Sequence, residues 1–291
     1  YTHYALMIFG ANRLPLIEFY RQQAKESLMH ADMVGEHITG LGGHPPLNTE
    51  NIKETHKHNI RDILSETLQH EKQAIKTYYE LLQLVAPHAK RVHGIKGIFN
   101  GHKECARRAM TKNFYVIDAD AILLDDFNFD YQPIELDEAY DGVLATDCVH
   151  TWRATNPIND LVYGYGGVKL FPARGLRKAN KWNIDFTTSV MPHFVPMEQI
   201  SNITAFNTDP YSTWKSAFRE CVKLSSSIIR KQHKDTEKRL DVWCTVGMEK
   251  PYGEYAIAGA EEGRKYGIQY KGDIEALSKI NDYEWLKEQF R

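Results

Sequence analysis

The chain has 291 residues, of which 42 % are hydrophobic and 25 % charged, and its formal net charge is −2. These values are typical of a soluble globular protein, and the small net charge excludes a general attraction to nucleic acid or anionic membranes. No apolar run reaches the roughly 20 residues of a membrane span, so we expect no membrane partner. The four cysteines form no C-x-x-C pair, which predicts reduced thiols and a cytoplasmic location.

The first 85 residues predict helices alone. Apolar residues recur every three or four positions over 14–41 and again over 60–85, which is the period of a helical stripe. Gly42-Gly43 and Pro45-Pro46 end the first stripe, because proline cannot continue a helix. Residues 1–9 are expected to close an earlier helix. Helices joined by one short connection favour an antiparallel bundle.

Three stretches of this half contain carboxylates and histidines. They are Glu26–Asp32, Gly35–Pro45 and Glu66–Glu71. In these stretches the chain resembles the bacterioferritin-like branch of the ferritin-like bundles, which hold two irons between four helices. The resemblance implies Glu26, His30 and Glu71 as metal ligands. Glu71 also falls inside the apolar stripe, where an unpaired carboxylate is costly and favours a bound cation.

The helical half departs from that family in two respects. Ser27 stands where the Glu-x-x-His spacing requires an acid, and no fourth helix follows the second stripe. One interpretation is therefore a helical packing module without metal. The alternative is an iron-binding bundle that a second chain completes, which predicts a homo-oligomer through the helical segment.

The pattern changes near Val85-Ala86-Pro87. Short apolar runs, at 114–117, 142–145 and 166–171, now alternate with helical stretches, at 101–110, 212–230 and 274–290. This alternation predicts an α/β domain over 86–291, preceded by an all-α segment over 1–85.

An Asp-x-Asp motif follows the first of these apolar runs. Alternation along an extended segment places Asp118 and Asp120 on the same face. Two carboxylates at a strand end can share Mn²⁺ or Mg²⁺, and such a cation can neutralise the diphosphate of a departing nucleotide. The alternative is a pair of turn residues with no ligand.

Longer segments around this motif carry a second resemblance. They are Gly97–Ala106, Phe114–Asp120, Thr155–Pro172, Thr213–Leu224 and Arg239–Cys244. In them the chain resembles phage and bacterial glycosyltransferases of the GT-A type, including those linked to modified DNA bases. The resemblance implies a Rossmann-like mixed sheet and a nucleotide-sugar donor. It implies an acceptor that is a modified DNA base, a glycan or another small molecule.

The same resemblance implies roles for individual residues. Asp118 and Asp120 would hold the metal and the donor. Further donor contacts would come from Lys103, Asn156, Asn159, Asp160, Tyr163, Gly164, Gly166 and Gly167. The glycines would permit close approach of the backbone to a ligand, although a tight turn or a β-bulge is an equal alternative.

Catalysis of an inverting transfer also needs a base for the acceptor hydroxyl. Asp185 and Asp209 are the candidates, and the alternative for each is a turn or a helix cap. His193 or His233 could add a third metal ligand. The basic stretch over 169–181 could attract a phosphate group, or it could be solvated surface.

Both halves lack an expected element at their junction. The bundle lacks its last helix, and the α/β half lacks the strand that opens GT-A domains. We therefore hypothesise a fusion of two incomplete domains, with weak or no transferase activity. Two further readings stay open: a ferritin-like metal-binding protein, and a non-enzymatic structural protein that retains a transferase-like fold.

Overall fold

The chain forms two compact units, Tyr1–Ala89 and Lys90–Arg291. The computed structural model describes residues 1–40, 42–46, 55–140, 142–164, 166–180, 182–191, 193–228 and 235–290. Within these ranges, no helix has both the length and the apolar character of a membrane span. The division lies close to the change of sequence pattern near residue 86.

The first unit consists of helices. They are α1 (Thr2–Met7), α2 (Arg13–Gly40) and α3 (Ile60–Val85). Both predicted stripes are therefore helical, and Leu41, at the end of the first, lies outside the described residues. The Asn59 side chain caps α3 by accepting a hydrogen bond from the Arg61 backbone N–H at 2.8 Å, which satisfies one of the free donors at a helix start.

A small apolar core joins the beginnings of these helices. Its buried residues are Tyr4, Ala5, Ile8, Ile17, Tyr20 and Ile63. The Tyr20 hydroxyl lies 2.9 Å from the Thr67 hydroxyl, so the start of α2 contacts the start of α3. The antiparallel packing of α2 and α3 stays a prediction.

Beyond this core the apolar stripes face solvent. The exposed fraction is 64 % for Leu28 and 54 % for Ile75. Other exposed apolar residues on the two helices are Met33, Val34, Leu68, Tyr78, Leu81 and Leu84. The expectation that Glu71 is buried is wrong for the same reason, since its neighbours on α3 have no covering partner among the described residues and Glu71 is exposed.

The second unit is built on a mixed β-sheet, as predicted. Its strands are β1 (Asn113–Ile117), β2 (Ala121–Leu123), β3 (Glu138–Tyr140), β4 (Val143–Leu144), β5 (Val149–Thr155), β6 (Val162–Tyr163), β7 (Val168–Pro172) and β8 (Phe194–Thr204). The main sheet has the order β1-β7-β5-β8-β2, with β6 paired to β5, whereas β3 and β4 form a separate pair. Strands β5 and β8 are parallel, and β7 is antiparallel to both β1 and β5.

This topology gives β1, β5 and β8 the same direction. Their carboxyl ends therefore meet at one edge of the sheet, which is where open α/β sheets bind their ligands. The helices of the unit are α4 (Ile98–Arg108), α5 (Ala173–Lys178), α6 (Phe186–Ser189), α7 (Pro210–Ser225), α8 (Thr236–Thr245), α9 (Gly253–Gln269), α10 (Ile274–Ser278) and α11 (Tyr283–Gln289).

Helices α7 and α9 pack backbone against backbone. Three glycines of α9 face α7, namely Gly259, Gly263 and Gly267, and a Cβ atom at any of them would clash with α7. At Gly263 the clash would be with the Phe218 backbone. Because glycine is unfavourable inside a helix, the presence of glycine at every fourth position along this face of α9 reflects the close approach of the two helices.

We predict that Gly263→Ala lowers the free energy of unfolding of the second unit by about 1–3 kcal/mol, because the added methyl group overpacks the α7–α9 contact. Gly101→Ala in α4 is the matched control. No atom lies within 4 Å of its added Cβ, so it should raise stability by up to about 1 kcal/mol. All five tryptophans lie in the second unit, so urea denaturation followed by tryptophan fluorescence measures this unit alone. Equal stability of the two variants would contradict the packing argument.

Candidate functional site

A cavity of about 230 Å³ lies at the edge of the sheet where β1, β5 and β8 end. Three of its lining residues come from these strand ends: Asp120 from the turn after β1, Thr155 from the end of β5 and Thr204 from the end of β8. The remaining wall comes from the β6–β7 connection and from helices α6, α7 and α8. Its other lining residues are Ala154, Asn156, Tyr163, Gly164, Gly166, Asp185, Thr187, Thr188, Phe206, Ser216, Glu220, Lys223 and Trp243.

The two carboxylates of the Asp-x-Asp motif have different surroundings. Asp118 accepts a hydrogen bond from the Lys169 ammonium group at 2.6 Å, and Lys169 is only 2 % exposed. Asp120 is exposed and lines the cavity. Partial desolvation, followed by the negative charge of Asp118, raises the pKa of Asp120. Asp118 thus supplies the counter-charge that the buried lysine needs, and binding of one cation by both carboxylates stays a prediction.

The loop before β7 brings part of its predicted set to the cavity. Asn156 and Tyr163 line it, whereas Asn159 does not. The Asn156 side chain accepts a hydrogen bond from the Ile158 backbone N–H at 2.8 Å, and Asn159 accepts one from Leu161 at 3.3 Å. Both asparagines thus shape the loop through their oxygens, which leaves their amide nitrogens for other partners.

The predicted glycines have separate structural reasons. Gly164 has a φ of 71°, a conformation that favours glycine, and it lines the cavity together with Gly166. Gly167 does not line the cavity. A Cβ atom there would clash with the Asn202 side chain, and the Gly167 carbonyl accepts a hydrogen bond from the Asp118 backbone N–H at 2.8 Å. Packing against Asn202 therefore accounts for glycine at position 167.

The two candidate bases are both helix caps. Asp185 caps α6 by accepting from the Thr188 N–H at 3.1 Å, and Asp209 caps α7 by accepting from the Ser212 N–H at 2.8 Å. Burial alone would raise the pKa of each. For Asp185 the Lys223 charge and the Thr188 contacts outweigh burial, and for Asp209 the Ser212 hydrogen bonds do so, so both pKa values are lowered. A lowered pKa weakens a carboxylate as a base, and only Asp185 lines the cavity.

Other predicted ligands lie away from the cavity. The Lys103 ammonium group donates to the Ala179 carbonyl at 2.8 Å and lies 5.4 Å from the centre of the Phe99 ring. His193 directly precedes β8 and is not a lining residue. His233 and Lys181 lie outside the described residues.

The proposed iron ligands of the first unit are not assembled in one chain. Glu26, His30 and Glu71 are all exposed, and Glu26 accepts a hydrogen bond from the Gln23 side chain at 2.9 Å. Across the described ranges of the whole chain, no three His, Cys, Asp or Glu side chains group closely enough to hold a metal ion.

The charged groups of α7 were not predicted from the sequence. Lys223 lies 3.0 Å from Glu220 and 3.5 Å from Asp185, so it bridges two carboxylates of the cavity wall. Ser216, Glu220 and Lys223 are spaced four and three residues apart, which places them on one helix face. The recurrence of polar residues at this spacing was the available signal. Trp243 on α8 also lines the cavity.

The helical unit has a known counterpart. Residues 1–91 match the ferritin-like domain family. This ferritin-like segment covers α1 to α3 and ends where the α/β unit begins. No curated protein and no solved structure matches the chain, so the interpretation of the α/β unit depends on its own sheet and cavity.

We predict that His102, on α4, makes the second unit less stable in mild acid. Burial, followed by the positive charge of Lys169, lowers the pKa of His102 to about 4. The unfolded chain, with a histidine pKa of about 6.5, then binds a proton that the folded state excludes. The contribution of neutral His102 to the free energy of unfolding is complete above about pH 6.5 and is lost as the pH falls towards 4. The loss is at most about 3 kcal/mol.

The free energy of unfolding should be measured by tryptophan fluorescence from pH 7 to pH 4 for the native chain and for His102→Gln. The variant should show a flatter decrease, because glutamine does not titrate. Parallel curves for the two proteins would contradict the assignment of this acid sensitivity to His102.

Proposed function

We propose that the α/β unit is a glycosyltransferase that uses a nucleotide sugar and binds its donor around Asp120. The observation that carries this proposal is the position of Asp120. Asp120 stands in the turn between β1 and β2 and lines a cavity at the edge where three strands of one direction end. A carboxylate at such an edge suits the binding of a diphosphate through a divalent cation.

The residues around Asp120 fit a metal that is shared with substrate rather than a metal held by protein alone. Mg²⁺ keeps several waters and takes one or two carboxylates together with substrate phosphates. Asp120 can supply one carboxylate, whereas Asp118 is held by Lys169. Bound Mn²⁺ or Mg²⁺ would supply charge neutralisation for the leaving nucleotide diphosphate.

Backbone hydrogen bonds fix the segment that carries Asp120. The Asp118 N–H donates to the Gly167 carbonyl at 2.8 Å, and the Asp120 carbonyl accepts from the Ala205 N–H at 2.7 Å. The segment is thus tied to the glycine-rich loop on one side and to the end of β8 on the other. Such a support keeps a functional carboxylate in place when a ligand binds.

Glu220 replaces Asp185 and Asp209 as our candidate for the base. It lines the cavity and caps no helix, so its carboxylate is not held by the backbone N–H groups that bind Asp185 and Asp209. Like Asp185, it contacts Lys223, here at 3.0 Å. In the proposed step, the acceptor oxygen forms a bond to the sugar carbon as the bond from that carbon to the diphosphate breaks. The acceptor hydroxyl gives its proton to Glu220, and the nucleotide diphosphate leaves with the electron pair.

Asp120→Asn tests this proposal. The native chain should show a rise in melting temperature with one sugar nucleotide from a panel, and only when Mn²⁺ is present, because a ligand of the folded state stabilises it. The variant should bind that ligand at least about 10-fold more weakly, since even outer-shell substitutions in metal sites cost 10- to 100-fold. Asp126→Asn, in the exposed turn after β2, should bind like the native chain. No shift with any sugar nucleotide, or an equal shift in Asp120→Asn, would contradict the donor site.

The ferritin-like segment supports a second candidate function. We propose that it pairs with the same segment of another chain and that the pair binds iron. Two observations favour this: the match of residues 1–91 to the ferritin-like domain family and the exposed apolar stripes of α2 and α3. One chain offers Glu26, His30 and Glu71 as separate exposed side chains, so two chains would supply the larger ligand set of a two-iron site.

Ile75→Glu tests the pairing. Sedimentation velocity of the full chain should give a dimer for the native protein and a monomer for Ile75→Glu, because the new charge would be desolvated in the interface. Gln73→Glu adds the same charge at another exposed position of α3 and should remain dimeric. A native protein that stays monomeric at all concentrations would contradict the pairing.

A further inference from the structure

A group of positive charges lies along one face of α7. Lys215 and Arg219 are four residues apart on this helix, which places them on the same face. The Lys215 ammonium group lies 5.1 Å from the centre of the Tyr211 ring and 5.1 Å from the centre of the Tyr283 ring. The Arg219 guanidinium group lies 5.6 Å from the same Tyr283 ring. Lys287 in α11 also repels Lys215, so Lys215 has two positive neighbours.

Lys215 is the cation of this group that has no partner of opposite charge. Arg219 donates a hydrogen bond to the Ile280 carbonyl at 2.8 Å, and Lys287 contacts Glu284 at 3.3 Å. Among the residues that the structure describes, no oxygen atom accepts a hydrogen bond from the Lys215 ammonium group and no carboxylate forms an ion pair with it. Its contacts are the two tyrosine rings, which attract a cation through their faces. The N–H groups of Lys215 are therefore available to a ligand.

A hydrogen bond connects the segment of Asp120 to the chain that leads into α7. The Asp120 carbonyl accepts from the Ala205 N–H at 2.7 Å, and α7 begins five residues later at Pro210. Lys215 lies in the second turn of this helix. The charges of Lys215 and Asp120 consequently act on each other. Lys215 thus lies near the carboxylate that would hold the metal ion.

The acidic neighbours of Lys215 do not balance its charge. Burial, followed by the positive charge of Arg219, lowers the pKa of Lys215, and the opposite effects of Asp209 and Asp120 are smaller. Lys215 does not line the cavity, whereas the next residue, Ser216, does. Lys215 therefore lies beside the cavity rather than among the acids of its wall, and an anion there would supply the missing negative charge.

A diphosphate at Asp120 needs such a second positive charge. The carboxylate and the diphosphate together outweigh the charge of one divalent cation. The cavity wall cannot supply the difference, because its described lining residues include Asp120, Asp185 and Glu220 against Lys223, and Lys223 contacts both Asp185 and Glu220. Like charges at close range repel, so the favourable side of Asp120 for the diphosphate is the side of Lys215.

We propose that Lys215 binds a phosphate group of the donor and is the second positive centre of the site, beside the cation at Asp120. Its N–H groups donate charge-assisted hydrogen bonds to phosphate oxygens, and Tyr211 and Tyr283 hold the ammonium group in position. Binding of a nucleotide sugar rests on the proposed transferase function, whereas binding of a diphosphate does not. The inference narrows the donor to nucleoside diphosphate sugars, because two phosphate groups can occupy two positive centres.

Calorimetric titration of the full chain with inorganic pyrophosphate and Mg²⁺ tests the inference, since pyrophosphate contains no base or sugar. The native chain should bind pyrophosphate and should bind inorganic phosphate more weakly. Lys215→Met keeps an unbranched side chain between the tyrosine rings but removes the charge. It should weaken pyrophosphate binding by about 10- to 100-fold, which is the value of a hydrogen bond to a charged group. Lys215→Gln should show the same loss, and Lys215→Arg, which keeps the charge, should bind like the native chain.

Lys271→Met is the matched control, because Lys271 is an exposed lysine after α9 and does not line the cavity. It should bind like the native chain. No pyrophosphate binding by the native chain, or equal binding by Lys215→Met and Lys215→Gln, would overturn the inference. Lys215-dependent pyrophosphate binding without any sugar-nucleotide binding would uphold the diphosphate site and reject the transferase. Sugar-nucleotide binding that is unchanged in Lys215→Met would overturn only the role of Lys215.

Discussion

The ion pair between Lys169 and Asp118 determines the arrangement at the carboxyl edge of the sheet. A lysine that is 2 % exposed requires a counter-charge, and Asp118 supplies it at 2.6 Å. This pair ties β7 to the segment after β1 and leaves Asp120 as the carboxylate of the motif that lines the cavity. The same positive charge also contributes to the low pKa of His102. The motif therefore contains one carboxylate that is paired with a buried lysine and one that lines the cavity.

The cavity depends on packing at a distance from the motif. Helix α7 supplies Ser216, Glu220 and Lys223 to one wall, and the glycines of α9 allow α7 to lie against it without intervening side chains. The parallel pairing of β5 with β8 brings Thr155 and Thr204 to the same edge. The proposed donor and acceptor sites thus share one cavity that elements distant in sequence assemble.

Sequence patterns predicted which segments form helices and strands better than they predicted which elements pack against each other. The stripes of α2 and α3 and the strand before Asp118 were readable from periodicity and apolar runs. Periodicity defines a helix face but not what covers it, so Glu71 was wrongly predicted to be buried. Strand β5 and helix α9 were missed, because β5 contains His150 and Arg153 and α9 contains several glycines. The partner of Asp118 depends on a lysine 51 residues away, which no local pattern indicates.

The most direct test of the account is the location of Mn²⁺ in a crystal of the full chain with a uridine diphosphate sugar. Anomalous scattering from manganese should give a peak next to the Asp120 carboxylate, with Asp118 still held by Lys169 and the diphosphate bound to the same ion. A cavity that contains no manganese, or manganese bound only between Glu26, His30 and Glu71 of the ferritin-like segment, would contradict the proposed donor site.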